Sequence, residues 1–252
     1  MSRKQSGFTL VEIAIVLVII GLLLGGILKG QELINSARVR NLADQATGIQ
    51  AAYFGFIDRY RQVPGDMAAA NAIAAIDATI PAGVGGNGDG QVNEKSFAEA
   101  SALWVHLTRA GFLQGSYVGG ATSAATYAVP NMAPVNAYNG YMLLARSRDY
   151  SSTAGAPTAP SSGGVGGTTP RLLLVMGDNI PVDIARELDV KMDDQNPLSG
   201  VLRLTVNGGT GVTAPSFPGV SESTSTNCTA AATTNAWNIA QDAQNCNLAF
   251  LY

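Results

Sequence analysis

The chain has one histidine, His106, and two cysteines, Cys228 and Cys246, in 252 residues. No histidine pair is available for zinc, and His106 has no acid, free thiol or second histidine beside it in sequence. There is no glycine loop with its phosphate-binding lysine and no serine elbow between two glycines. Carboxylate pairs formed between distant segments leave no local signature; beyond them nothing assembles into a catalytic set, and the chain reads as a non-enzyme. Charge is scarce as well, at 13% Asp, Glu, Lys and Arg with a net charge of −3. Nucleic-acid binding wants a basic face, so no nucleic-acid partner is expected. The surface takes its polarity from hydroxyls, amides and backbone instead.

What is present is a long apolar run. From Phe8 to Leu28 only Thr9 and Glu12 are polar. As a helix that run is about 31 Å long, enough to cross the hydrocarbon core of a bilayer. Arg3 and Lys4 flank it on the side that positive charge normally keeps inside. An acid within such a run costs roughly 2.5–3.5 kcal/mol on insertion scales, so Glu12 needs a reason to be there. A secretory signal peptide has a shorter apolar core with its small-residue cut site behind it; here the small residue, Gly7, comes first. A plain single-span anchor explains the length but not Glu12 placed just past a Gly-Phe pair.

Gly7-Phe8-Thr9-Leu10-Val11-Glu12 resembles the type IV pilin signature. The resemblance is specific over roughly residues 3 to 30 and fair to about residue 64. It implies cleavage after Gly7 by a prepilin peptidase, N-methylation of the new N-terminus at Phe8, and a role for Glu12, with Phe8 and Thr9, in assembly. It implies an inner-membrane prepilin with its head in the periplasm. Its partners would be identical or related subunits, the peptidase and the inner-membrane assembly machinery, and the product a surface filament. The corresponding parts are a leader (1–7), a membrane and filament-core helix (8–30), an amphipathic continuation of it (31–63) and a globular head (64–252). The fold implied is α+β, a long N-terminal helix packed on an antiparallel sheet. Many pilins also fasten a C-terminal loop with a disulfide, and Cys228 with Cys246 would do so here. In many of them a glycine and a proline let part of the first helix melt on assembly. Gly21 matches, but Lys29 stands where that proline is common. Gly25, Gly26 and Gly30 are the other candidates for melting, or for close approach of neighbouring helices.

Val39, Leu42, Ala46, Ile49, Tyr53, Phe56 and Tyr60 recur three and four residues apart, one stripe of an amphipathic helix. Val63-Pro64-Gly65 is expected to stop it. A short helix should follow over about 66–78 with Asp66 as cap. Then Asn87, Asp89, Gln91 and Glu94 alternate oxygen-bearing side chains around Gly88 and Gly90, resembling the middle of an EF-hand or dockerin calcium loop. Gly85 and Ser96 stand where the first and last acidic ligands belong, with Glu94 or Glu99 as substitutes; a metal-free turn is the alternative. Ser96 to Glu99 reads as a capping box opening a helix that carries Leu103, Trp104, Leu107 and Ala110 inward and ends at Gly111. His106 reads as a packed or surface residue.

Strands are expected at about 125–129, 139–146, 171–177 and 200–206. A helix is expected from Pro181 to Met192 with Ile184, Ala185, Leu188 and Met192 inward. Asp193 to Pro197 is turn chemistry, and Asp178, Asp183, Asp193 and Asp194 are a second candidate calcium set. Residues 151–169 and 208–227 read as Ser/Thr/Gly-rich loops, the former with hydroxyls that sugars could occupy. Residues 248–252 should pack back on the head. Besides the pilus subunit, three functions fit: a pseudopilin of type II secretion, a membrane-anchored calcium- or sugar-binding protein that never polymerises, and, remotely, an anchored hydrolase.

Overall fold

A computed structural model describes residues 9–92, 96–147, 171–197, 199–204, 228–231 and 234–252. One helix, α1, runs from Leu10 to Tyr60, 51 residues or about 77 Å. Its first half is exposed throughout, from Leu10 at 90% to Leu28 at 67%. Its second half buries Val39, Leu42, Ala46, Ile49, Ala52, Tyr53 and Phe56 beneath the head, the stripe expected from the spacing. Tyr60, the last of that stripe, is only half-buried. α1 ends three residues before Val63, because Arg61 turns left-handed (φ 54°) and returns its N–H to Ile57.

Gly21, Gly25, Gly26 and Gly30 all lie inside α1, and a β-carbon on any of them would meet nothing within 4 Å. Their bareness does not serve the packing of this chain. Gly55 differs: a β-carbon there would come within 2.9 Å of the Phe112 ring.

α2 is shorter than expected, Ala69–Ala75, and begins at Ala68 rather than Asp66. α3 spans Phe97–Arg109; Ser96 Oγ accepts the Glu99 N–H at 3.2 Å. Gly111 follows it at φ 79°. The strand expected at about 125–129 is absent; residues 124–127 form one helical turn instead, α4 (Ala124–Tyr127). The reason is local: Ser123 and Thr126 exchange hydrogen bonds that close a turn, and the Tyr127 hydroxyl is drawn inward between the Trp104 indole and the Met142 carbonyl, 2.8 Å from each.

The sheet is built from β1 (Leu143–Ser147), β2 (Arg171–Val175), β3 (Leu202–Leu204) and β6 (Leu248–Leu251), in the order β1-β2-β6-β3, all antiparallel. The strands are shorter than expected from sequence, and the 248–252 segment supplies a central one. α5 (Val182–Met192) lies between β2 and β3 in sequence and packs on α1. There Ser36 donates to Glu187 at 3.5 Å, and the Arg38 guanidinium sits 5.1 Å over the Tyr138 ring. α5 buries Ile184, Ala185 and Leu188 as expected, but its last inward position is Asp189, and Met192 is exposed. β4 (Thr229–Ala231) and β5 (Thr234–Trp237) form a separate hairpin. The fold is α+β and pilin-like: long apolar helix, antiparallel sheet, and a Cys228–Cys246 disulfide near the C-terminal strand.

Candidate functional site

Two regions carry the sequence-expected residues. The first is the N-terminus of α1. Thr9 is its cap, with extended backbone (φ −78°, ψ 149°). Its hydroxyl accepts the Glu12 N–H at 3.3 Å, and the Glu12 carboxylate takes both the Thr9 N–H and the Thr9 hydroxyl at 2.8 Å. This reciprocal capping box explains what Glu12 does within one chain: it satisfies orphan donors at the positive end of the helix. It also holds the carboxylate at the Thr9 N–H, the first described amide of the chain. Gly7 and Phe8 themselves lie outside the described residues. Behind the box, α1 is long and apolar enough to cross a membrane, and none of that segment is buried within the chain.

The second region is the loop 85–92. Asn87, Asp89 and Gln91 are linked by local hydrogen bonds, in Gln91 through the backbone N–H, while Glu94 lies outside the described residues. Their bonds are local: Asn87 Oδ1 accepts the Asp89 N–H at 2.9 Å, Asp89 Oδ1 accepts the Gln91 N–H at 3.1 Å, and Asn87 Nδ2 donates to Asp89 Oδ2 at 3.1 Å. The loop wraps a residue not assigned to it from sequence. Asp66, only 3% exposed, accepts N–H bonds from Gly88 (2.7 Å), Asp89 (3.1 Å) and Gly90 (2.7 Å). A buried carboxylate therefore organises the loop from inside. Gly86 packs against the Asp66 backbone, where a β-carbon would approach to 2.5 Å.

Of the second acidic set, Asp193 and Asp194 lie together, but the group they form is completed by Asp189 and contains neither Asp178 nor Asp183. Asp189 escaped the sequence reading because Met192, not residue 189, was expected as the last inward position of α5. A signal was available: it falls one turn before the Asp-Asp pair.

The disulfide joins Cys228 to Cys246, Cα atoms 5.9 Å apart, and Cys246 also bridges to Ile180 beside the sheet. His106 is a packed residue, as expected. It is fully buried, lies parallel to Phe56 with ring centroids 6.3 Å apart, and accepts the Gly65 N–H at 3.0 Å on Nδ1. Gly65 is glycine by necessity: at φ 88° its β-carbon would meet the Glu99 carbonyl at 2.5 Å. Burial pushes the His106 imidazole down to about 4.

Residues 2–28 match the family described as the prokaryotic N-terminal methylation motif. No curated protein and no solved structure matches the chain. The match identifies the N-terminal segment as a class III signal segment of the type IV pilin and pseudopilin kind. It marks the chain as a prepilin-peptidase substrate anchored in the membrane, and points to a structural protein rather than an enzyme.

Proposed function

We propose that this chain is the subunit of a type IV pilus, cut after Gly7, methylated at Phe8 and polymerised through α1. The observation that carries the reading is the division of one unbroken helix. Residues Leu10 to Leu28 expose an apolar surface on every side, while Val39 to Phe56 are committed to the head. In the bilayer, lipid covers the first half. Outside it, only the equivalent helices of other subunits offer an apolar surface of matching length, with the bare faces of Gly21, Gly25, Gly26 and Gly30 allowing close approach. The head would face the periplasm before assembly and the cell surface after it.

Glu12 supports the same reading. Its carboxylate sits at the level of the Thr9 N–H, one residue from the amine that cleavage would create on Phe8. Packed among helices and away from water, that carboxylate needs a cation. The Phe8 amine of a neighbouring subunit supplies one only when the two helices sit at the right height. The pair thus works as a register device, a well-attested use of a buried ion pair.

Intact mass and N-terminal sequencing of sheared surface material test the proposal. The expected result is a chain beginning at methylated Phe8 in filaments; a chain that still begins at Met1 refutes it. Cleaved chain that never reaches the surface, together with a block in protein export on deletion, would assign it instead to a type II secretion pseudopilus.

A further inference from the structure

The end of α5 concentrates negative charge. Asp189, Asp193 and Asp194 each place a carboxylate oxygen within 4.8 Å of the others. They crowd the C-terminal end of the helix, which already carries the negative pole of its dipole. Lys191, the basic residue of that last turn, is paired with Glu187 at 2.6 Å.

Asp189 makes this more than a surface cluster. Its side chain is fully buried. Its Oδ2 accepts the Trp237 indole N–H at 2.7 Å, but among the described residues its Oδ1 has no hydrogen-bond partner. A buried carboxylate oxygen left unpaired is costly. Burial pushes the Asp189 carboxyl up to about 6; Asp193 and Asp194 add to the rise, against the Trp237 indole and the Gln195 backbone. The two neighbours are held in place. Asp193 Oδ2 accepts the N–H groups of Val201 and Leu202, and Asp194 accepts the Asn196 N–H at 2.9 Å and the Ser199 hydroxyl at 2.7 Å. Asp193 is so close to Gly200 that a β-carbon there would overlap the carboxyl.

We infer that Asp189, Asp193 and Asp194 bind one calcium ion that ties the end of α5 to the start of β3. The donors are all hard carboxylate oxygens, which select calcium or magnesium over zinc or copper. Calcium, about 2.4 Å from its ligands, accepts a flexible set of six to eight oxygens, whereas magnesium at about 2.1 Å demands a stricter octahedron than three carboxylates already bonded to backbone N–H groups and side chains can rearrange to give. Through Asp193 the ion would hold the Val201 and Leu202 amides that lead into β3. Through Asp189 and Trp237 it would also steady the β4–β5 hairpin beside Cys228. The competing arrangement has no ion. Arg203 lies close enough to feel the charges of Asp193 and Asp194, and Asp189 would then hold a proton.

The test uses the full chain in detergent at near-neutral pH, stripped with chelator. Millimolar calcium should raise the unfolding midpoint by about 4 °C if it reaches ten times the dissociation constant. Terbium in place of calcium should luminesce on tryptophan excitation, because the Trp237 indole touches a ligand carboxylate. Both responses should vanish in Asp189→Asn and Asp194→Asn. The second changes an exposed side chain, so it reads the site even if the first fails to fold. Trp237→Phe should lose the luminescence and keep the calcium shift. Asp89→Ala, in the other candidate loop, should keep both. A shift abolished by Asp89→Ala, or one that survives Asp194→Asn, places the ion elsewhere and overturns the inference. Absence of any response at millimolar calcium overturns it too, in favour of Arg203 and a proton.

Discussion

The Tyr252 hydroxyl donates a 2.9 Å hydrogen bond to the carbonyl oxygen of Ala46, 206 positions earlier on α1. It fastens the segment after β6 to the middle of the long helix. The same ring stacks on Phe250, centroids 6.4 Å apart and planes 7° from parallel. Burial raises the Tyr252 phenol above its ordinary range, so it remains a donor throughout physiological pH. Tyr252→Phe keeps the stacking and removes the bond, and should cost about 1 kcal/mol. Urea unfolding of the detergent-solubilised chain measures it. An unchanged midpoint would mean that the Ala46 carbonyl loses nothing when the phenol goes.

The lone histidine sets an acid limit on the head. The folded value of about 4 for His106 lies below the ordinary 6.5. The unfolded chain therefore takes up the proton first, and stability falls as pH drops from about 6.5 through about 4. The full loss is about 3 kcal/mol. A pH series of unfolding midpoints, read beside the single imidazole resonance, checks both value and sign. A resonance that titrates near the ordinary value would show that burial has not displaced it.

Asp66 should be the costliest polar position in the 85–92 loop. Asp66→Asn leaves one oxygen for the Gly88 and Asp89 amides, but sets an N–H against the Gly90 N–H that now points at Oδ2. A loss of about 2–4 kcal/mol is expected, because charge-assisted bonds are exchanged for a buried donor facing a donor. Amide hydrogen exchange at Gly90 should accelerate more than exchange in β2.

Replacing both Cys228 and Cys246 with alanine opens a loop with a sequence separation of 18 and should cost about 3 kcal/mol in the chain-entropy model. The β4–β5 hairpin should lose protection while α3 keeps it. Protein from the cell surface, alkylated without reductant, should show neither thiol labelled.

In cells lacking the wild-type copy, Glu12→Ala should leave insertion and cleavage largely intact and sharply reduce filament yield. Glu12→Gln should fall between, since it keeps the shape and loses the charge. Normal yield from Glu12→Ala, counted in sheared fractions, would end the register role.

Where physics is local, the sequence is a good guide. The apolar run, the stripe from Val39 to Phe56 and the caps at Ser96 and Gly111 depend on neighbours within a turn or two, and they stand where the spacing puts them. Asp66 and Asp189 were opaque for the opposite reason. Asp66 reads as a helix cap and Asp189 as one more residue of α5 until a distant segment arrives: the Gly88–Gly90 amides for one, Trp237 for the other. Residues 125–129 misled because Thr126, Tyr127 and Val129 suit a strand, whereas the Ser123–Thr126 bonds and the pull of Trp104 on Tyr127 together close a helical turn. Glu12 announced itself as an anomaly in an apolar run, yet its capping bond with Thr9 became visible only once the helix start was fixed.

The strand order carries a consequence for the timing of folding. β6 separates β3 from the β1–β2 pair, and it is the latest of the four to be synthesised. Until Leu248–Leu251 emerges, β3 shares no ladder with the β1–β2 pair, and Leu173, Leu174 and Val175 present an open edge. α1, by contrast, needs no partner to form and enters the membrane first. The chain is therefore tethered long before its sheet can close, and the tether keeps that unpaired edge next to the membrane, apart from other half-made chains, for the whole interval in which it is most able to pair wrongly.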